Sequence, residues 1–422
     1  MKVAFYTLGC KVNQYETNGM IQAFKSKGYD IVNFDDKADI YIVNTCTVTN
    51  IADRKSRQIL SRARKENQDA IIVACGCYAQ ISKEKLDLDK EIDLVIGNTE
   101  KKEIVKYVED YIDSKSQIKN IDDVLHDKTY IEFGDVVYTE KTRAMIKVQD
   151  GCDRFCTYCL IPFARGKIRS RDPKNVISEI KKISQNGIKE VVITGIHVAS
   201  YGKDFKENYS LIDLLEEINK IDGIERIRLG SIEPLLMSEE FMTRLSKLNK
   251  ICHHFHLSLQ SGSNSTLMRM GRRYTTEEFK EIVDRIRHYY DDSILTTDII
   301  VGFPGETDKE FDETYKFLSD IKFYKMHIFK YSKREGTKAA VMPNQIDGNI
   351  KEIRSKKLIE LSNKYERECL ESYIGKELEV LFEEKDGEYY KGHTSNYLLV
   401  KYKSNENLEN KIIKLRLKEE NL

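Results

Sequence analysis

The sequence lacks an excess of charge of either sign. Its 422 residues include 69 Lys and Arg and 69 Asp and Glu, so the formal net charge is zero. A chain without a global charge has no overall attraction to nucleic acid or to an anionic membrane, and any such partner must be met by local patches. Hydrophobic residues make up 40% of the chain and charged residues 33%, which is typical of a globular protein and excludes a disordered one.

The sequence also lacks the long hydrophobic runs that direct proteins to membranes. No apolar run reaches the length of a membrane span. The first ten residues, MKVAFYTLGC, lack the charged and then apolar layout of a signal peptide. We therefore expect a cytoplasmic protein without a membrane partner, in which thiols stay reduced. In that compartment, clustered cysteines indicate metal binding or catalysis more often than disulfides.

The first part of the chain alternates strands and helices. The predicted strands are Lys2–Thr7, Asp39–Asn44, Ala70–Ala74 and Leu94–Ile96, and the predicted helices are Glu16–Lys27, Asp53–Glu66 and Lys101–Tyr111. Strands that are apolar throughout and alternate with helices are typical of a parallel, doubly wound sheet. We predict such a domain over residues 1–112, followed by a polar linker over residues 113–140.

The same alternation resumes after the linker with longer spacing. The predicted strands are Ala144–Val148, Glu190–Thr194, Arg226–Leu229, His254–Leu259, Leu295–Ile300 and Lys325–Phe329. Six strand–helix units indicate a partial (β/α)6 barrel with its working face at the carboxyl ends of the strands. After a long charged helix, four short strands between Leu378 and Leu415 favour a small all-β barrel of the OB type. The fold class is therefore α/β, with further domains over residues 141–371 and 372–422.

Three of the nine cysteines lie in one segment, QDGCDRFCTYCLIP. Cys152, Cys156 and Cys159 have the spacing C-x3-C-x2-C. Structural zinc takes four ligands, commonly as two separated pairs, and no second Cys or His pair follows at such a spacing. A cubane iron–sulfur cluster has four irons, so three thiolates leave one iron open to a small molecule. We interpret the triad as a 4Fe-4S site, with zinc as the alternative.

Three further cysteines follow strands of the amino-terminal domain. Cys10, Cys46 and Cys77 each come soon after a predicted strand. The carboxyl ends of parallel strands share one edge of a sheet, so these thiols are expected to converge and to hold a second cluster. The alternative is that each is a small buried hydrophobe. Cys75 would share a face with Cys77 in an extended strand, so periodicity leaves that choice open. The cysteines without partners are interpreted as structural: Cys252 and Cys369.

The C-x3-C-x2-C segment at the end of the first barrel strand resembles the radical S-adenosylmethionine (SAM) superfamily. That resemblance implies a 4Fe-4S cluster whose open iron binds SAM, and reductive cleavage of SAM to methionine and a 5′-deoxyadenosyl radical. With LGCKVNQ, NTCTVT and GCYAQ in the first domain, and a terminal module similar to TRAM, essentially the whole chain resembles the methylthiotransferases. The match of GCYAQ assigns Cys77, and not Cys75, to the second 4Fe-4S cluster.

The methylthiotransferase resemblance implies an activity and partners. The family attaches a methylthio group to an unactivated C–H carbon, with one SAM as methyl donor and another as radical source. LGCKVNQYE and GCYAQ look most like the branch that modifies C2 of N6-threonylcarbamoyladenosine at position 37, beside the tRNA anticodon. The alternatives are isopentenyladenosine, a ribosomal-protein aspartate, or a non-catalytic metal-bearing RNA-binding protein. An electron donor and a sulfur donor are also implied, and the sequence identifies neither.

Residues at the ends of the barrel strands are candidates for binding SAM. In radical SAM folds the backbone after the second strand receives the SAM amino group, and an aromatic residue precedes the last cysteine. Alternating polar residues at later strand ends could line the barrel interior. The glycines of GFPGE permit close backbone approach, with ordinary loop geometry as the alternative. The candidates are Tyr158, Gly195, Glu233, Ser258, Gln260, Gly302 and Gly305.

The segment IPFARGKIRSR places four cations at alternate positions, where they share one face if the segment is extended. They are Arg165, Lys167, Arg169 and Arg171. Beside the first cluster they could hold the SAM carboxylate or an RNA phosphate, with a solvated edge strand as the alternative. The richest basic run is the predicted helix Asp53–Glu66, which could meet tRNA phosphates or simply be a solvated face.

Overall fold

The computed structural model of the chain describes residues 1–82, 86, 91–114, 118–125, 127, 129–137 and 142–422. Parts of the predicted linker, residues 115–117, 126, 128 and 138–140, lie outside the described residues. The strands form four sheets, one with six strands and three with four. In the described part of the chain, every helix is too short or too polar to cross a lipid bilayer.

The amino-terminal sheet consists of six parallel strands in the order β2-β1-β3-β4-β5-β6. They are Lys2–Thr7, Asp30–Val32, Ile40–Thr45, Ile71–Gly76, Leu94–Ile96 and Ile118–Asn120. The surrounding helices are Lys11–Ser26, Asn50–Glu66, Cys77–Ile81 and Ile104–Ser114. Strands β3 and β4 are buried throughout because apolar clusters cover both faces of the sheet. The predicted parallel sheet is confirmed, and β6 extends it past residue 112, where the sequence placed the end of the domain.

The first helix begins at Lys11, earlier than the predicted start at Glu16. Gly9 adopts φ +93, and the chain then enters the helix with Cys10 at the N-cap position. The early start has a consequence for the polar residues of the first turns. Asn13 and Glu16 become buried helix residues, each only 1% exposed, and face the interior of the protein.

The two central sheets form the partial barrel. The parallel strands are Arg143–Asp150 (β7), Glu190–Gly195 (β9), Arg226–Leu229 (β10), Ser231–Ile232 (β11), His254–Gln260 (β12), Ile294–Val301 (β13) and Lys325–Lys330 (β14). Gly230 alone separates β10 from β11, so the chain passes directly from one sheet to the other. A short strand, Arg169–Ser170 (β8), pairs antiparallel with the end of β7. The predicted partial barrel is confirmed.

Helices cover the outside of the barrel strands. They are Pro173–Gln185, Leu211–Asn219, Glu239–Leu245, Asn264–Met270, Thr276–Tyr289 and Asp308–Ile321, and a short helix, Ile161–Arg165, follows the cysteine loop. Their apolar faces pack on the strands in the largest hydrophobic core of the described chain. Because this core lies outside the strands, the barrel interior is left for polar side chains.

A 26-residue helix, Gly348–Tyr373, leads from the barrel to the carboxyl-terminal sheet. Four antiparallel strands follow in the order β17-β16-β15-β18. They are Glu377–Asp386 (β15), Tyr389–Thr394 (β16), Leu399–Lys403 (β17) and Ile412–Arg416 (β18). The predicted small antiparallel module is confirmed.

The turn between β16 and β17 closes the amino-terminal end of the barrel. Arg226 donates a hydrogen bond to the carbonyl oxygen of His393 at 2.9 Å, and Arg228 donates one to that of Ser395 at 3.0 Å. The ring of Tyr397 stacks on His254 with 4.6 Å between ring centroids. Polar residues of the barrel interior therefore hold the terminal module.

Candidate active site

The carboxyl ends of β1, β3 and β4 bring three cysteines to one edge of the amino-terminal sheet. Cys10 caps the first helix after β1, Cys46 follows β3 directly, and Cys77 begins a short helix after β4. A Cβ on Gly9 would lie 2.7 Å from the Cys46 Sγ, so this glycine makes room for the thiol beside Cys10. Burial is the main cause that raises the pKa of Cys46 to about 12, and the nearby Cys77 and Cys10 add to it.

Gly76 separates the roles of Cys75 and Cys77. Its φ of +98 and ψ of −170 lie in a region that is essentially restricted to glycine, and the turn breaks the strand alternation. Cys75 is fully buried, and its thiol donates to the carbonyl oxygen of Val43 at 3.7 Å. The Cys77 Sγ instead accepts hydrogen bonds from polar side chains, one of them from Arg165 Nε at 3.2 Å. The geometry therefore supports Cys77 as the third member of the set.

The second triad lies in the loop after β7. Cys152, Cys156 and Cys159 are all half-buried. The Cys156 Sγ accepts a hydrogen bond from Arg272 at 3.6 Å, and the Cys159 Sγ accepts one from the backbone of Ile161 at 3.4 Å. Burial raises the pKa of Cys152 to about 11 and that of Cys159 to about 12. Cys152 and Cys159 therefore hold their protons at neutral pH, so metal binding to these two thiols must release protons.

A cavity of about 460 Å³ lies between the two triads. Cys10 and Cys46 line it from the amino-terminal domain, and Cys159 lines it from the barrel. The remaining walls are formed by Gly9, 47–49, Tyr158, Leu160, Ile161, Gln260, Asp298, Ile300, 329–332 and Arg334. Its size is that of a small-molecule site. The cavity therefore borders both sets of cysteines.

Neither cysteine triad brings its three sulfurs as close together as the donors of a compact single-ion site. Among the described residues, the set of three metal-type donors whose ligand atoms all lie within 4.8 Å of one another is His256, Asp298 and His327. The sulfurs of each cysteine triad are therefore more widely spaced. A tetrahedral zinc ion with Zn–S bonds of about 2.3 Å brings its sulfurs to within about 4 Å of one another. A cubane cluster binds each thiolate at a separate corner and so takes more widely spaced sulfurs than a single ion does.

Glu233 lies after β11 among three basic side chains. Its carboxylate accepts a hydrogen bond from Arg272 at 2.9 Å, with His197 Nε2 at 3.6 Å and Arg154 at 3.8 Å. Burial raises the pKa of Glu233, but His197 and the two arginines outweigh burial and hold the pKa below its usual range. Because Arg272 also contacts Cys156, it joins this carboxylate to the second triad.

The other predicted SAM-binding residues occupy different surroundings. Tyr158 and Gln260 line the cavity. A Cβ on Gly195 would meet Gln149 at 3.0 Å, and the Ser258 carbonyl oxygen accepts from Tyr274 at 2.6 Å. In the GFPGE segment, a Cβ added to Gly302 would lie beside the side chain of Lys351, and one added to Gly305 beside that of Arg269.

The four cations of IPFARGKIRSR do not share one face, so that prediction is wrong. Residues Ile161–Arg165 form a helix, and Gly166 with φ +71 then turns the chain, so the segment is not extended. Lys167 is exposed, whereas Arg165, Arg169 and Arg171 are at most 1% exposed. Their guanidinium groups face carboxylates inside the protein, and burial removes them from contact with RNA.

Arg165 crosses from the barrel into the amino-terminal domain. Its Nη2 donates to Asn13 Oδ1 at 2.6 Å and to Glu16 Oε2 at 3.1 Å. Glu16 also pairs with Lys101 at 2.6 Å and with Lys147 at 2.7 Å. Burial raises the pKa of Glu16, but Arg165 and the two lysines outweigh it and hold that pKa well below its usual range. These charges join the two domains directly beneath the first triad.

Sequence reasoning missed several residues of this site. Arg334 donates to Asn50 Oδ1 and to Thr47 Oγ1, each at 2.6 Å, and pairs with Asp53 at 2.7 Å. It thereby fastens the end of the barrel to the loop after Cys46. The segment YSKREGTKAA, which resembles a methylthiotransferase motif, was the available signal for this arginine. Local pattern gave no signal for Arg272.

Models of two families match the chain. That of the Radical SAM superfamily matches residues 146–318, and that of Uncharacterized protein family UPF0004 matches residues 2–97. Threonylcarbamoyladenosine tRNA methylthiotransferase MtaB of Bacillus subtilis (strain 168) is 41% identical over 421 residues, which cover 98% of this chain and 93% of the relative. The chain belongs to the radical SAM methylthiotransferase family.

Two further comparisons extend this result. The tRNA-2-methylthio-N(6)-dimethylallyladenosine synthase of Alkaliphilus oremlandii (strain OhILAs), also a methylthio-group enzyme, is 34% identical over 427 residues, covering 99% of this chain and 90% of the relative. The methyltransferase TsrM from Kitasatospora setae, solved with cobalamin and a [4Fe-4S] cluster, has a TM-score of 0.57 at 15% identity, covering 81% of this chain and 74% of that one. TsrM shares the fold.

Membership of the radical SAM methylthiotransferase family makes this chain a transferase. It also implies SAM and one 4Fe-4S cluster as cofactors. The cavity is lined by Cys159 on one side and by Cys10 and Cys46 on the other.

Proposed function

We propose that this protein methylthiolates C2 of N6-threonylcarbamoyladenosine at position 37 of tRNA, with SAM as both methyl donor and radical source. The observation that carries the proposal is the shared cavity, because one ligand there reaches Cys10 and Cys46 of the first triad and Cys159 of the second. The choice of substrate is supported by higher identity to threonylcarbamoyladenosine enzymes, 41%, than to a dimethylallyladenosine synthase, 34%.

We assign a 4Fe-4S cluster with bound SAM to Cys152, Cys156 and Cys159, and a second cluster to Cys10, Cys46 and Cys77. When bound, the cluster at Cys152, Cys156 and Cys159 (the second triad) would supply a 5′-deoxyadenosyl radical from SAM. The cluster at Cys10, Cys46 and Cys77 (the first triad), called the second cluster, would hold the sulfur that is methylated. The corresponding domains are residues 1–112, followed by a linker over 113–140, the barrel over 141–371 and a TRAM-like RNA-binding module over 372–422. Radical formation and sulfur transfer are thereby assigned to two different clusters.

The walls of the cavity suit a purine base. Tyr158, Ile300 and Phe329 offer apolar surface, while Gln260 of β12 and Asp298 of β13 offer polar groups. Phe329 and Val48 are 45% and 58% exposed, so the cavity continues to the surface through apolar side chains. Enzymes that act on a base extrude it from the stack and hold it between apolar surfaces. Enclosure also keeps water from a reactive radical.

Nucleoside mass spectrometry of tRNA tests the proposed substrate. Cells without this protein should lose the methylthio form of N6-threonylcarbamoyladenosine and accumulate N6-threonylcarbamoyladenosine that lacks the methylthio group. The gene for the intact chain should restore the methylthio form, and the gene for the Cys156→Ala variant should not. The matched control is Cys369→Ser, which changes a cysteine packed against the core of the terminal module and should restore the methylthio form. Loss of the methylthio form of isopentenyladenosine instead would move the chain to the other tRNA branch.

A further inference from the structure

We propose that Arg165, a residue of the barrel, is a positioning residue for the second cluster, whose charge it balances and whose reduction potential it raises. This inference rests on the proposed function, because it takes Cys77 as a cluster ligand. The contact that carries it is the hydrogen bond from Arg165 Nε to Cys77 Sγ at 3.2 Å, made by a guanidinium with no exposed surface.

The orientation of Arg165 is fixed by its other donors. A guanidinium has five N–H donors. One faces Cys77, two on Nη2 face Asn13 and Glu16, and two on Nη1 face Glu16 and Asp150. Every donor therefore has an acceptor. The side chain cannot rotate away from Cys77 without leaving buried polar groups unpaired, which is destabilising.

The ion-paired set around Arg165 is short of negative charge. Among the described residues its cations are Lys101, Lys147, Arg165 and Arg169, and its carboxylates are Glu16, Asp127 and Asp150. One positive charge is left over. Asp127 is partly exposed, at 28%, whereas the side chains of the other members are at most 5% exposed, so solvent screens little of the excess. A cluster bound through Cys77 would add negative charge beside this cationic set.

A neighbouring buried arginine provides a comparison. Arg171 pairs with Glu179 at 3.0 Å and with Glu132 at 2.9 Å, and this set has one carboxylate more than it has cations. Glu132 is 32% exposed, so water screens that carboxylate. Within the described part of the chain, the hydrogen-bond partners of Arg171 are carboxylates and the carbonyl oxygen of Gly134, and not cysteines. Arg171 thus shares the burial of Arg165 but not its contact with sulfur.

Two physical effects follow for a cluster held by Cys77. Hydrogen bonds to ligand sulfur and nearby positive charge both favour the more negative, reduced state, which raises the reduction potential. Arg165 and Lys147 come from the barrel, whereas Cys77 and Glu16 come from the amino-terminal domain. The potential of the second cluster therefore depends on the docking of the two domains.

The test uses the full chain with Cys152, Cys156 and Cys159 replaced by alanine, so that iron binds at the second site alone. Reconstituted protein is titrated with reductant and followed by electron paramagnetic resonance, with iron content measured in parallel. Arg165→Met should lower the midpoint potential, and Glu16→Gln should raise it because it removes a negative charge. Arg165→Lys keeps the charge without the Nε donor and should give a smaller decrease. Arg171→Met, the matched control, should leave the potential unchanged.

The outcomes separate this inference from the proposed function. A parent chain that binds no iron at the second site overturns both. A parent chain that binds about four irons, with unchanged potentials in Arg165→Met and Glu16→Gln, overturns the role of Arg165 and leaves the proposed function standing. If Arg165→Met fails to fold, Arg165→Lys decides, because it keeps the buried charge and removes only the Nε donor to Cys77: a lower potential supports the inference and an unchanged potential overturns it.

Discussion

At the scale of single residues, two glycines decide where the thiols of the first triad lie. Gly9 leaves the space that the Cys46 side chain fills, and Gly76 turns the chain between Cys75 and Cys77 with φ +98. Neither conformation suits an L residue with a Cβ. The positions of the sulfurs are therefore set by residues that contribute no ligand atom.

Replacing Gly76 with alanine should displace Cys77. The new Cβ would lie 2.4 Å from the Thr45 carbonyl oxygen, and the backbone conformation itself costs about 1–3 kcal/mol for a residue other than glycine. Iron content after reconstitution should fall from about eight per chain to about four, with SAM cleavage retained. Gly28→Ala is the control, because Gly28 has φ +81 but open space around it. Eight irons in Gly76→Ala would contradict the expectation.

The two triads should fail in different ways. Cys156→Ala should abolish both 5′-deoxyadenosine formation and methylthiolation, because no SAM is cleaved. Cys46→Ala should still form 5′-deoxyadenosine but should stop methylthiolation. Both products are measured by mass spectrometry in one assay. Cys75→Ala, a buried core substitution beside the site, should retain both products. Methylthiolation that persists in Cys46→Ala would refute the assignment of a second cluster.

At the scale of elements, the helix Asn50–Glu66 joins the first triad to a basic surface. Thr49 caps it by accepting from the backbone of Ala52, directly after the loop of Cys46 that lines the cavity. Arg54, Lys55, Arg57 and Lys65 are exposed along it. Arg64 instead turns inward to pair with Asp93 at 2.6 Å. The outer face of this helix is therefore a basic stripe that starts beside the cavity.

Charge reversal on this helix should weaken tRNA binding. Arg54→Glu and Lys65→Glu each remove a cation that can neutralise a phosphate, and the slope of log affinity against log salt should fall by about 1 for each lost contact. Fluorescence anisotropy with labelled tRNA at several salt concentrations measures this slope. Lys364→Glu, on the exposed side of the helix Gly348–Tyr373, is the matched control. Equal slopes in all three variants would exclude the helix from the tRNA interface.

At the scale of the whole molecule, the terminal module and the barrel share a buried polar interface. His254 is 6% exposed, stacks on Tyr397 and bonds Thr296 Oγ1 at 3.0 Å. Burial, with Arg228 and His256 nearby, holds the pKa of His254 well below its usual 6.5. The interface therefore requires a neutral imidazole.

The free energy of unfolding should decrease as the pH is lowered below about 6.5. The unfolded chain then protonates His254 and the folded chain does not, so the unfolded state binds more protons and the free energy of unfolding decreases by up to about 1.4 kcal/mol per pH unit. His254→Gln keeps a polar group near Thr296 but does not titrate. Between pH 7.5 and 5.5 its urea midpoint should therefore shift less than that of the unchanged protein. Equal shifts would show that His254 is not the cause.

Sequence predicts the strand–helix alternation and the convergence of the cysteines because both follow from local pattern. The choice between Cys75 and Cys77 could not come from periodicity, since it depends on the glycine turn between them. The inward orientation of Arg165 could not be predicted either. It follows from the turn at Gly166 and from contact with Glu16, 149 positions earlier in the chain. Contacts over such separations leave no periodic signal.

The pairing of Glu16 with Arg165 also limits how a gene for this protein can recombine. A crossover between the two codons that replaced Glu16 with a neutral residue would deepen the excess of positive charge in the buried set around Arg165, which is destabilising. Functional chimeras should therefore inherit both residues from one parent, and splitting the chain into two separately made polypeptides should expose the same charges. The amino-terminal domain and the barrel should therefore be exchanged together.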